Sequence, residues 1–230
     1  MQGSTNPSGH TPLLKSKFFY LLCSIILYVI ATAIYTDNKI SGYISSGVFS
    51  LIILFCVYPH LKNFKIIFIL MSLAIGILAL HWVVIFQGQL ESLFIALYAI
   101  IICFLSIILY TVIHSVMLHK RITIDSLLGA VCGYFLLGFV WTFVYLLVGE
   151  ANHHAFTISA LSGSIHDRAQ HFFYFSFTTL TTLGYGDILP LSYFARTCSW
   201  LEATTGQIYL AVWISQLVAL LIIPLFQLKN

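Results

Sequence analysis

The sequence predicts an all-α membrane protein: six transmembrane helices plus one re-entrant helical segment. Three observations carry that expectation. Of 230 residues, 60% are hydrophobic and only 7% are Asp, Glu, Lys or Arg, where a soluble domain carries about a quarter charged residues. The mean hydropathy of +0.99 leaves too little polar surface to cover a solvated core. The few charges also divide the chain into uncharged runs at 18–36, 40–61, 66–90, 92–119, 126–149 and 203–228. Each is near the ~20 residues that a helix rising ~1.5 Å per residue needs to cross a ~30 Å hydrocarbon layer. Two further uncharged runs, 151–166 and 169–186, are rich in His, Ser, Thr and Gly and read as a loop and the re-entrant segment.

The same arithmetic excludes other classes. Disorder demands the opposite balance of charge and hydrophobicity, and a disulfide scaffold needs far more than five Cys. A net charge of +3, dispersed among loops, is too small to argue for nucleic acid.

Taken in order, residues 1–17 form a polar tail with Gly3, Pro7, Gly9 and Pro12. Residues 18–119 supply four apolar helices as a peripheral bundle, and residues 126–228 form a second unit. Lys15, Lys17 and the apolar run ending in Ala31-Thr32-Ala33 mimic a secretory signal, but the uncharged run continues to Thr36. Basic residues are retained on the cytoplasmic side of short loops. Placing both termini inside puts Lys15, Lys17, Lys62, Lys65, Lys120, Arg121 and Lys229 in the cytoplasm, against Lys39, Arg168 and Arg196 outside. Asp37, Glu91, Glu150, Asp167 and Asp187 then lie outside as well. Asn6-Pro7-Ser8 is disqualified as a glycosylation acceptor by its proline, and no other N-x-[ST] triplet occurs, which leans towards a bacterial inner membrane.

The chemistry concentrates where an aromatic stretch, His171 to Phe177, runs into Thr178-Thr179 and then Thr182-Leu183-Gly184-Tyr185-Gly186-Asp187. Two glycines flanking one aromatic suit a backbone whose successive carbonyls face the same way, because alternate residues must then visit left-handed dihedrals that a side chain resists. The Thr182 hydroxyl adds a further oxygen. Rings of such carbonyls replace the water shell of a monovalent cation. Irregular backbone at membrane depth is tolerated only where it is buried in protein or lines water. One copy cannot close a ring, so four chains around an axis are expected.

Over about 126–228, the chain resembles the pore module of potassium channels: outer helix, pore helix, T-x-G-Y-G-D filter and inner helix. Leu183 stands where Val or Ile is commoner. The resemblance implies a homotetrameric, potassium-selective channel in a cell membrane, passive and not an enzyme, with lipid around it and no cofactor beyond the K+ it conducts. It implies ion sites at Thr182, Leu183, Gly184 and Tyr185, with Gly186 completing the filter and Asp187 tethering its outer mouth. It also implies a gating hinge at Gly206 in the inner helix. Thr178 and Thr179 support the filter from behind, and Ser164 or Asp167 suits the start of a pore helix over about 167–180.

Other residues carry narrower readings. Glu202, an acid at the head of the last span, is expected close behind the filter, bonded to the pore helix or paired across subunits with Arg196. Gly129, Gly133 and Gly138 read as packing glycines, the alternative being a face on which the outer helix moves against the inner one. Pro224 either splays the inner helices or marks the helix end. The fourth run, 92–119, has no Lys or Arg, so it carries no voltage-sensing charge. His81 and His114 lie within spans, while His153, His154, His166 and His171 crowd the outer loop as possible proton or metal ligands. Cys23, Cys56, Cys103, Cys132 and Cys198 read as small apolar fillers. Two other functions compete: an ion-coupled potassium uptake subunit, disfavoured by the single intact filter, and a haem-bearing oxidoreductase.

Overall fold

The computed structural model describes residues 16–34, 39–58, 64–87, 91–117, 123–157 and 163–227. These form seven α-helices: α1 (Phe19–Ala33), α2 (Lys39–Val57), α3 (Phe64–Gln87), α4 (Glu91–Met117), α5 (Ile124–Ala151), α6 (Ile165–Leu180) and α7 (Tyr193–Gln227). The β-type pairing among the described residues is an isolated antiparallel bridge between Phe156 and Pro190.

Helix α5 is the hub, packing against α1, α4, α6 and α7. Its start is fixed by Thr123, whose hydroxyl accepts the Ser126 N–H at 3.1 Å, and by Asp125 in the first turn, where the helix dipole favours an anion. Asp125 also accepts the Lys17 backbone N–H at 2.9 Å, which ties the entrance of α1 to the start of α5. Side chains at Gly129, Gly133 and Gly138 would collide with Phe18 and Val116, with the Tyr209 hydroxyl and with the Phe177 ring respectively. Their absence lets α1, α4, α6 and α7 approach the hub.

The peripheral helices meet the second unit through an aromatic cluster. Tyr28 of α1 packs 5.4 Å from both Phe139 of α5 and Phe173 of α6, and Phe49 of α2 lies 5.3 Å from Phe143 of α5. Such offset and edge-on pairs add about 0.5–1.5 kcal/mol each beyond the apolar area they bury.

Two helical stretches among the described residues, Leu93–Val116 and Ile124–Ala151, are long and apolar enough to cross a membrane, and Phe19–Ala33, Gly42–Val57 and Leu70–Val83 are shorter apolar stretches. The 15 residues of α1 reach roughly 22 Å at ~1.5 Å per residue, short of a ~30 Å hydrocarbon layer. The last helix differs from the uncharged run at 203–228, because α7 begins at Tyr193 and holds both Arg196 and Glu202 within it. Gaps between charges mark where a helix tolerates hydrocarbon, and they miss helix ends whose charges are satisfied by protein. Here the Arg196 Nε–H donates to the Pro190 carbonyl at 3.2 Å, and Glu202 is enclosed by neighbouring helices. Among the described residues, α4 carries no Lys or Arg.

Candidate functional site

The site is built on α6, a helix whose ends are both secured. At its start, Ser164 and Asp167 form a reciprocal capping box: the Ser164 hydroxyl accepts the Asp167 N–H at 3.3 Å and the Asp167 carboxylate accepts the Ser164 N–H at 2.7 Å. Arg168 in the first turn forms an ion pair with Glu150 near the end of α5. Along its length, α6 buries Phe172, Phe175 and Ser176. The two rings pack on Phe156, at 4.8 and 5.7 Å, and on Tyr145 of α5, at 6.4 and 4.9 Å.

Beyond Leu180 the backbone departs from helix in an orderly way. Thr182, Gly184 and Gly186 have φ of +61°, +54° and +81°, and no positive φ occurs at Leu183 or Tyr185. Handedness thus alternates residue by residue over 182–186, the pattern that turns successive carbonyls to one side of a strand. Sequence assigned the left-handed positions to the glycines alone. Thr182 is a β-branched residue in a region that such side chains avoid, and strain of this kind gathers at functional segments.

The alternation is held by α6 itself. The Thr182 N–H donates to the Thr179 carbonyl at 2.9 Å and the Gly184 N–H to the Thr178 carbonyl at 3.1 Å. Two alternate donors are therefore spent on the last turn of the helix. Among the described residues, no backbone N–H donates to the carbonyls of 182–186. Thr178 is buried and its hydroxyl donates to the Phe175 carbonyl at 3.0 Å. Leu183 and Tyr185 are 60% and 69% exposed on the single chain, and Tyr185 stacks on Tyr174 with ring centres 6.3 Å apart. Asp187 lies near Tyr174, at the far end of the segment.

After Asp187 the chain is strapped to the loop that follows α5. The Thr157 N–H donates to the Leu189 carbonyl at 3.1 Å and the Leu191 N–H to the Ala155 carbonyl at 2.7 Å. This strap, with Phe156 buried in it, has no counterpart in the sequence pattern, which shows 151–166 as a loop rich in His, Ser, Thr and Gly. A single bridge leaves no periodic pattern to detect.

The inner face of α7 holds the segment from behind. Glu202 is 0% exposed. It accepts the Tyr145 hydroxyl at 2.5 Å, and its other oxygen lies 2.5 Å from the Ser176 hydroxyl. That bonds it to α6, as one of the two sequence expectations has it, while within the chain the Arg196 Nε–H turns to the Pro190 carbonyl. Sequence reasoning named Glu202 but neither of its partners. The signal for Ser176 was one hydroxyl among the aromatics of α6, and Tyr145 gave none, standing as one of several aromatics in α5. Gly206 is buried where α7 crosses the end of α6, and a Cβ there would lie 2.6 Å from the Leu180 carbonyl oxygen. The helix continues unbroken through this position. Pro224 lies in the 217–227 stretch, whose side chains are outside the described residues.

Among the described residues, no group of three or more His, Cys, Asp or Glu could hold a metal ion. His114 stacks on Tyr110 at 5.8 Å, and the His154 N–H closes a turn on the Asn152 side chain at 3.0 Å.

Residues 131–222 match the family model described as an ion channel, a span that takes in most of α5 and all of α6, the alternating segment and the crossing at Gly206. No curated protein and no solved structure matches the chain. The matched segment is similar to an ion-channel domain, which supports ion-channel function and a place in a membrane.

Proposed function

We propose that the chain is one subunit of a homotetrameric, potassium-selective channel, in which α5 is the outer helix, α6 the pore helix, 182–187 the filter and α7 the inner helix. The observation that carries this reading is the alternation of backbone handedness at Thr182, Gly184 and Gly186 inside the segment that matches an ion-channel family. With the Thr182 and Gly184 N–H groups turned back to α6, the carbonyls of Thr182, Leu183, Gly184 and Tyr185 are left to replace the hydration shell of a K+ ion. Four copies around an axis would complete each ring. The exposed apolar side chains of α7, among them Phe194, Trp200, Ile208 and Ile214, would then face neighbouring subunits or lipid. The C-terminal end of α6 contributes the negative end of a helix dipole to a cation waiting below the filter. No arginine or lysine rides on α4 among the described residues, so the gate opens without charge movement in that helix.

Potassium flux into liposomes tests the reading, with sodium as competitor and barium as blocker. Selective, barium-sensitive uptake is expected, and unselective or absent flux from a folded tetramer overturns the assignment.

Gly184→Ala gives a sharper result. A Cβ at Gly184 meets nothing within 4 Å, so the substitution acts through backbone strain of about 1–2 kcal/mol at a left-handed position. Selectivity for K+ over Na+ is expected to collapse while the protein still assembles. Unchanged selectivity by reversal potential would show that the carbonyls of this segment do not coordinate the ion.

A further inference from the structure

The proposed pore leaves the peripheral bundle without a task, and a cavity suggests one. Where α1, α2, α3, α4 and α5 meet the start of α6 there is a space of about 60 Å³, large enough to admit water. Two polar atoms on its lining residues have no hydrogen-bond partner: the Ser45 hydroxyl of α2, on a residue 93% buried, and Nε2 of His81 on α3. His166, in the first turn of α6, lines the same cavity. Its ring lies against α2, edge-on to Tyr43 at 6.4 Å and so close to Gly42 that any side chain there would strike the imidazole.

We infer that this cavity is a proton-binding site: one proton taken up by the His81 and His166 imidazoles drives His166 off α2 and loosens the start of α6, so that acid closes the pore. The inference rests on the channel reading above and assigns a regulator to that pore.

Several features favour it. Both imidazoles share one small, largely apolar cavity, so a first proton disfavours a second. An imidazolium in the first turn of α6 also opposes the positive end of that helix dipole. The other groups around the site are weak counterweights. Tyr28 of α1 and Tyr98 of α4 line the cavity as phenols, Ser45 and Ser46 of α2 are neutral hydroxyls, and Gln170 of α6 is a neutral amide. Glu150 of α5 is occupied by Arg168. Asp167 attracts a proton to His166, yet burial is the larger effect and holds that imidazole below the ordinary histidine range. A histidine so depressed packs best when neutral. Its contribution is present above the unfolded-state value and is lost as pH falls through the lowered one.

Potassium flux into liposomes is measured at about pH 7.5 and about pH 5.5, the range over which histidine changes charge. The wild type should lose about fivefold or more of its flux in acid, the lower end of ordinary coupling between sites. H81Q and H166Q should each conduct selectively at the higher pH and lose most of that acid sensitivity. Gly42→Ala, which displaces the His166 ring without a proton, should conduct poorly even at the higher pH. Selective wild-type flux that is equal at both pH values, or acid inhibition surviving in H81Q/H166Q, overturns the inference and leaves the channel reading intact. Absence of selective flux at both pH values overturns the channel reading itself. An NMR titration of the imidazoles then decides the proton site alone. A His166 titration shifted by H81Q supports a shared site, and one untouched by H81Q overturns it.

Discussion

Gly206→Ala is expected to abolish K+ flux and to weaken the assembled protein, although it adds only one methyl group. The added carbon would sit 2.6 Å from the Leu180 carbonyl oxygen and 2.8 Å from a Leu180 methyl. The methyl can rotate aside, but the carbonyl is backbone, two residues before the first left-handed position at Thr182. The contact is relieved only if α7 and the end of α6 move apart. Overpacking of this kind costs about 1–3 kcal/mol, and it falls on the helix end that holds the 182–187 segment. Thermal unfolding with size-exclusion chromatography reads the stability, and liposome flux reads the conduction. Gly47→Ala and Gly76→Ala are the controls, since a side chain at either position meets nothing within 4 Å. They should be neutral or slightly stabilising, because alanine is favoured over glycine inside a helix by roughly 0.5–1 kcal/mol. A Gly206→Ala protein with wild-type stability and selectivity but altered opening would mark this position as a hinge instead of a close contact.

Glu202→Ala is expected to be the most destabilising single change behind the filter, by about 2–5 kcal/mol, from two buried hydroxyls stripped of a partner and a cavity left beside them. The proton count around this residue makes the companion prediction more informative. Ser176 has one hydroxyl hydrogen, and its oxygen lies 2.5 Å from Glu202 and 2.8 Å from the Gly138 carbonyl. A carbonyl only accepts. If Ser176 donates to Gly138, Glu202 must donate to Ser176 and therefore carry a proton. Among the described residues, no cation pairs with Glu202 that would favour its ionised form. Glu202→Gln preserves that arrangement, with the amide N–H donating to Ser176 and its oxygen accepting from Tyr145. It should retain near wild-type melting temperature and K+ selectivity. If Glu202→Gln instead falls as far as Glu202→Ala, the carboxylate is ionised and Ser176 donates to it.

These two positions show how far the sequence reaches. The 182–187 segment was legible because its chemistry is local: glycines at fixed spacing beside threonines report on dihedrals of the residues that carry them. The start of α6 was legible for the same reason, since a capping box is formed by residues three apart. The peripheral helices were legible as apolar runs but not as lengths, because hydropathy registers what hydrocarbon tolerates and not where a helix begins. Likewise α7 starts at Tyr193, ahead of the uncharged run at 203–228. Glu202 was conspicuous as an acid beside an apolar run. Its partners Tyr145 and Ser176, 57 and 26 residues away, were invisible because nothing in the local pattern of α5 or α6 depends on them.

By itself, then, the sequence determined the solvent in which the chain folds, the helical class and the residues free to adopt an alternating backbone, since each follows from composition or from neighbours along the chain. Only the tertiary structure decided that Thr182 shares the left-handed geometry with the glycines, that Gly206 is a point of contact with the end of α6, and that His81 and His166 open on one cavity. Those properties arise where helices cross, and crossing points are set by the fit of side chains far apart in the chain.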